Sequence, residues 1–264
     1  MRLKLISSGF GQKFEKENLA VKKVDNFSQT IRKLMAWLDT IKPYEPIEIF
    51  TKKDGSIVTN FDLIIQSKIE TLVSKLMPGA ILVSEENYVK SCGELSSQVI
   101  LIDPIDGTEN FASGLPLWGV GLANFIDMKL KATCVLFPEI RLFHASKDVN
   151  VGVNSNYRHL RINFSKRSNY LHPANFEHNF FAKNALDGQN RILGCSLMNI
   201  SLACLGSWMF KSSGSGLKAW DFLPAILPAL ENGKLVYVND ELYTGEFLQI
   251  KDRYKVQITT VSDG

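Results

Sequence analysis

The run Asp103-Pro104-Ile105-Asp106-Gly107-Thr108-Glu109-Asn110-Phe111 concentrates groups able to do chemistry. The apolar stretch Val99-Ile100-Leu101-Ile102 reads as a strand that delivers two carboxylates, three residues apart, at its C-terminal end. Pro104 restrains the turn between them, and Gly107 permits close backbone approach. If Thr108-Glu109-Asn110 opens a helix, its free N–H groups can hold an anion such as phosphate. Two hard carboxylates beside an anion site suit a Mg²⁺-dependent phosphatase. The same Asp-x-x-Asp-Gly spacing also suits side chains that only cap a turn.

Three other clusters each have two readings. In Ser84-Glu85-Glu86-Asn87, two adjacent acids follow a short apolar strand and offer a metal ligand or line a solvated loop. Thr59-Asn60-Phe61-Asp62 has capping-box spacing, which by itself accounts for Asp62. Ala219-Trp220-Asp221 leads into Phe222-Leu223-Pro224, where Asp221 reads as a helix N-cap and Pro224 fits the first turn.

Taken together, the four clusters resemble the inositol monophosphatase family of Mg²⁺-dependent, lithium-sensitive phosphomonoesterases. Residues 103–111 match its central motif D-P-[IL]-D-G-T-x-N-F throughout, and the T-x-x-D at 59–62, the acid pair at 85–86 and the W-D at 220–221 follow in the family's order. Lys53-Asp54-Gly55-Ser56 looks like the family's opening loop, and the resemblance runs over roughly residues 26–250.

The resemblance implies metal ligands at Glu85, Asp103, the backbone carbonyl of Ile105, Asp106 and Asp221. It places Asp62 and Thr108 on the attacking water, with Glu85 beside them in the catalytic set. Phosphate and substrate contacts fall on Gly107, Thr108, Asp106, Cys195 and Ser196, Cys195 standing where the family's G-[ST]-A turn has Ser or Thr. The implied cofactor is Mg²⁺, two or three ions, and the implied reaction is in-line attack by water with no covalent intermediate. The implied substrate is a small phosphorylated polyol such as inositol monophosphate. 3′-Phosphoadenosine 5′-phosphate and fructose 1,6-bisphosphate are the alternatives within the class. A non-catalytic or moonlighting binding protein on the same fold is the reading from another class.

The match fails at one informative place. Inositol-cleaving members carry an acid shortly before the W-D aspartate, where this chain reads Lys211-Ser212-Ser213-Gly214-Ser215-Gly216. Lys211 there either meets a second phosphate or is solvated.

The elements that must position these groups are partly legible. Phe27, Ile31, Leu34, Met35, Leu38 and Ile41 make one face of a helix over 26–41, and a second apolar stripe predicts a helix over 61–76. Strands are predicted at 80–83, 99–102, 118–126 and 131–137, with two more within 139–170. Residues 196–210 and 221–231 have helical spacing, and 235–238 and 247–250 read as late strands. The pattern indicates mixed α/β or α+β layers rather than a simple doubly wound repeat. The resemblance sharpens this to an α-β-α-β-α sandwich of the inositol monophosphatase/fructose-1,6-bisphosphatase type, with a largely antiparallel first sheet. The chain reads as a single unit over 1–264. It has an N-terminal half of about 1–150, a C-terminal half of about 151–264, and the metal site at their junction.

Composition narrows the class. The chain has 264 residues, 45% hydrophobic and 22% charged, with a net charge of +3, which fits a globular protein with a sizeable core. No polyanionic partner is required, and neither a nucleic acid nor a membrane partner is expected. Cys92, Cys134, Cys195 and Cys204 form no C-x-x-C pair, which argues against a zinc site. No signal-like or membrane-length apolar run is present, so a cytoplasmic location is expected. His144, His159, His172 and His178 read as surface or structural residues. A homodimer follows from the resemblance alone.

Overall fold

The structure, a computed structural model, describes residues 4–41, 46–53, 55–86, 97–152, 156–160, 169–172, 189–205, 209–250 and 252–259. Helix α1 spans Lys4–Leu38 and buries Phe27, Ile31, Leu34, Met35 and Leu38. It begins well before the predicted 26, and the residues just upstream of that point do not extend the core stripe: Leu19 and Val21 are exposed. Lys, Glu and Gln sustain a helix by propensity without leaving an apolar period to read.

Strands β1 (Ile49–Thr51) and β2 (Ile57–Thr59) form a hairpin that the sequence reading missed. Helix α2 (Asn60–Leu76) starts at the Thr59 cap and buries Phe61, Ile65, Ile69, Leu72 and Val73 against α1. It ends at Met77, where Pro78 and the positive-φ Gly79 turn the chain.

The first sheet contains β3 (Ile81–Ser84), β4 (Gln98–Asp106), β5 (Gly119–Ile126), β6 (Lys129–Phe137), β7 (Leu142–Ala145) and β8 (Arg158–His159), in that spatial order. β3 runs parallel to β4 and β7 parallel to β8, while the pairs between β4 and β7 are antiparallel. The largely antiparallel character is as expected. Between β4 and β5 the short helix α3 (Thr108–Ala112) opens at Gly107.

β4 is longer than predicted and changes the geometry of the central motif. Asp103 and Asp106 do not lie beyond a strand end; both belong to β4, whose residues are all buried. Asp103 pairs with Gly121 and Asp106 with Gly119, so β4 carries one extra residue across this interval. That is a β-bulge, and Pro104, which has no N–H for the ladder, fits within it. In a regular strand, residues three apart face opposite sides. Here their partners are two apart, so both carboxylates emerge on one face.

The two faces of β4 carry separate cores. Ile100, Ile102 and Ile105 pack with α1 and α2. Val99 and Leu101 pack with α4 (Ser196–Ala203) and α5 (Leu223–Glu231). Beyond those helices lies the second sheet, ordered β10-β9-β11-β14-β12-β13. Its strands are β9 (Asn169–His172), β10 (Gln189–Ile192), β11 (Met209–Lys211), β12 (Leu235–Val238), β13 (Glu241–Leu242) and β14 (Val256–Thr259). The described layers therefore run α-β-α-β. The last helical layer of the expected α-β-α-β-α order is not among the described residues.

Two predicted elements are corrected. The helix over 196–210 stops at Ala203, and Met209–Lys211 is strand β11, with fully buried Phe210 paired to Ile258. A three-residue strand centred on one buried apolar side chain leaves too short a pattern to tell from the end of a helix. Residues 247–250 form no strand; Phe247 instead packs edge-on against Phe125 at 5.0 Å. The missed β14 takes the place in the sheet.

Candidate active site

A pocket of about 230 Å³ opens where the end of β3, the bulge of β4, the start of α3 and residues 213–221 meet. Glu85, Asp103 and Asp221 each place a carboxylate oxygen within 4.8 Å of the others at this pocket. Glu85 follows β3, Asp103 stands on β4, and Asp221 closes a single 3-10 turn, Ala219–Asp221, before α5. Asp221 is not the N-cap of α5, as the sequence reading had it. Phe222 holds that position, and Asp221 accepts the N–H of Lys218 at 2.8 Å, capping its own short turn.

The acids strain against each other. Burial pushes Asp103 well above the carboxylate range, helped by Glu85, Asp106 and Asp221. Burial, then Glu85 and Asp106, push Asp221 up to about 8. Asp103 Oδ1 is buried with no hydrogen-bond partner. Carboxylates gathered in one small volume, one oxygen left unpartnered, suit a hard divalent cation with oxygen ligands. The residues present therefore fit a Mg²⁺ centre.

Asp106 is held differently. Its Oδ2 accepts the Leu197 N–H at 2.5 Å and the Cys195 thiol at 2.9 Å. Burial pushes its carboxyl up to about 6, against the pull of the bonds from Cys195, Leu197 and Ser196. Cys195 is itself buried and caps α4, while its neighbours Gly194 and Ser196 line the pocket. Asn110 of α3 donates to the carbonyls of Leu117 and Leu193 at 2.6 and 2.8 Å, fixing α3 against the Gly194 turn.

Asp62 reaches the pocket through Thr108. Its Oδ2 accepts from Thr59 N at 2.7 Å and Thr59 Oγ1 at 2.6 Å, so the predicted capping box forms. The other oxygen accepts the Thr108 hydroxyl at a loose 3.4 Å, while that hydroxyl also reaches the Ile105 carbonyl at 2.9 Å. Burial raises the Asp62 pKa, and the two Thr59 bonds oppose it.

Lys52 is a residue the sequence reading missed. From the β1–β2 hairpin its ammonium meets Glu85 Oε1 and Glu86 Oε1, both at 2.7 Å. Burial disfavours its charge, but the two carboxylates outweigh this and its pKa rises. Its position directly before Lys53-Asp54-Gly55-Ser56 was the available signal. Glu86 pairs with Lys52 and stays outside the Glu85–Asp103–Asp221 group. Arg253, Ser213 and Ser215 also line the pocket and were not singled out as site residues. Lys211, weighed for a second phosphate, is exposed on β11 and does not line it.

Residues 18–256 match the model of the inositol monophosphatase family. The chain belongs to that family. As an inositol monophosphatase family member it is a phosphoric monoester hydrolase. The Nus factor SuhB of Pseudomonas aeruginosa is 26% identical over 231 residues, covering 80% of this chain and 82% of that one. Inositol monophosphatase 2 of Saccharomyces cerevisiae is 36% identical over 96 residues, 34% of this chain and 32% of the other. A solved IMPase/NADP phosphatase complexed with Mg²⁺ and phosphate superposes with a TM-score of 0.73, at 18% identity over 90% of this chain and 91% of that one. The layered sandwich is thus the fold of the inositol monophosphatase family.

The remaining predicted groups are also placed. Cys134, Cys195 and Cys204 are free and buried; Cys92 lies outside the described residues. His144 is buried and His159 exposed, and His178 lies outside the described residues. The sequence also holds a basic run from Arg158 to Arg167, of which only 158–160 lies within the described residues. Among the described residues no helix is long and apolar enough to cross a membrane.

Proposed function

We propose that the pocket hydrolyses a small phosphorylated polyol, with inositol monophosphate as the reference substrate. The Glu85–Asp103–Asp221 group carries this reading. Glu85, Asp103, the Ile105 carbonyl, Asp106 and Asp221 would hold two or three Mg²⁺. Bound there, Mg²⁺ supplies Lewis-acid polarisation of the phosphoryl oxygens and lowers the pKa of the attacking water.

The chain's own residues supply position. The Thr59 cap holds Asp62, and Asp62 with the Thr108 hydroxyl orients the water. The backbone N–H groups of Gly107 and Thr108, at the start of α3, face the phosphate. Ser196 lines the substrate side, and Cys195 acts from behind it through Asp106. Lithium sensitivity, a homodimer and a cytoplasmic location accompany the family resemblance.

The test is phosphate release from inositol 1-phosphate, fructose 1,6-bisphosphate, 3′-phosphoadenosine 5′-phosphate and a generic phosphomonoester, with Mg²⁺ and with EDTA. Mg²⁺-dependent release from at least one of them, abolished by EDTA, is expected. Silence on every substrate, from folded protein that still binds Mg²⁺, overturns the reading in favour of a binding protein on this fold.

A further inference from the structure

The loop before Asp221 lacks the family's acid, and the structure shows what stands there instead. Ser212 N donates to Val256 O at 2.8 Å, and Val256 N donates to Ser212 Oγ at 2.9 Å. Leu217 and Tyr254 exchange backbone bonds of 2.9 and 2.8 Å. The loop is therefore clamped at both ends onto the segment 254–256. Gly216 makes the clamp possible: its φ is +71°, and a Cβ there would sit 2.9 Å from the Tyr254 carbonyl oxygen.

The clamp brings Arg253 to the pocket beside Ser213 and Ser215. Its Nη1 donates to the Gly216 carbonyl at 3.2 Å, which steers the guanidinium along the loop. Among the described residues the ion pairs are Lys52–Glu85, Lys52–Glu86 and Lys129–Glu246, so no carboxylate there is in direct contact with the guanidinium of Arg253, whose charge reaches Asp221 only across the pocket. The Ser213 and Ser215 hydroxyls lie 2.8 Å apart and can both turn toward a shared acceptor. An acid would accept hydrogen bonds from polyol hydroxyls. A guanidinium only donates, in a planar fork that matches phosphate or carboxylate.

We propose that Arg253, with Ser213 and Ser215, binds a second anionic group, so that the substrate is a phosphomonoester carrying another phosphate or carboxylate. This rests on the phosphatase reading of the pocket and narrows its substrate class. Arg253, Ser213 and Ser215 line the pocket from segments other than the one that carries Thr108, which leaves the scissile phosphate to the acidic groups.

The test compares equilibrium binding of fructose 1,6-bisphosphate and glycerol 2-phosphate, by calorimetry with Ca²⁺ replacing Mg²⁺ to suppress turnover. The wild type is expected to favour the bisphosphate at least about tenfold, and Arg253→Gln to reduce that ratio about tenfold. Arg253→Lys should restore part of it, because the charge returns without the fork. An unchanged ratio in Arg253→Gln overturns the proposal. So does an equal loss for both ligands, which would mark Arg253 as a structural clip for Gly216. Mg²⁺-dependent phosphate release is measured in parallel. No release with the binding ratio intact removes the hydrolytic reading and supports the anion site.

Discussion

Asp106 Oδ2 accepts the backbone N–H of Leu197 at 2.5 Å and so joins the bulge of β4 to the first turn of α4. The bond spans 91 positions in the chain. It ties the first sheet to the helices that carry the second, and it does so with a carboxylate that also lines the pocket. Structure and chemistry meet in one side chain.

Asp106→Asn separates the two roles. The amide oxygen still accepts the Leu197 N–H, but the side chain no longer carries charge. Turnover is expected to fall by at least about 100-fold, with circular dichroism and Tm close to wild type. Wild-type-like phosphate release from this variant would sink the assignment of Asp106 as a metal ligand.

Gly107→Ala tests the junction of β4, α3 and the Gly194 turn. Gly107 has φ +86°, and a Cβ would meet Cys195 Cβ, Gly194 O and Leu117 O, each at 3.1 Å. Positive φ and crowding together should cost about 1–3 kcal/mol, read as a drop of several degrees in Tm. An unchanged Tm would show that the turn relaxes freely.

The buried acids set a pH dependence for metal binding. Asp221 is raised to about 8 and Asp106 to about 6, burial being the largest cause in each. A carboxylate whose folded pKa lies above its unfolded value stabilises the fold below that unfolded value. The contribution disappears as pH rises through the folded pKa. Metal-free protein should therefore lose stability from about pH 4 through about pH 8 at this site. Mg²⁺ requires the deprotonated carboxylates. The Tm increase from saturating Mg²⁺ over EDTA is expected to be larger at pH 8 than at pH 5.5; the reverse order would refute this account.

His144 gives the opposite sign. Burial, aided by His159 at a ring distance of 5.9 Å, lowers its pKa to about 3. A depressed folded pKa contributes stability above the unfolded value of about 6.5, and this is lost as pH falls toward 3. Urea unfolding at pH 7 and pH 5 should show His144→Phe losing about 2 kcal/mol less than wild type over that interval. Equal losses would mean that His144 protonates without disturbing the fold.

The sequence alone pointed to most of the acidic residues that line or adjoin the pocket. Asp62, Glu85, Asp103, Asp106, Thr108 and Asp221 were legible through the order of four motifs that resembles the family's, since local spacing by itself left Asp62, Glu85 and Asp221 with a structural reading. Among their neighbours, α2 was legible from its periodic buried face, and β5 and β6 as apolar runs of strand length that are buried almost throughout. Tertiary structure decided the rest. Only pairing with β5 creates the bulge that turns Asp103 and Asp106 to one face, because register is set between strands and not within one. Only the Leu217–Tyr254 clamp brings Arg253 to the pocket from a polar stretch with no local signal. The strand β11 hid inside an apparent helix because three residues are too few to show a period of their own. What a residue is follows from the chain, but what it faces depends on partners tens of positions away, whose contacts form only when the layers close.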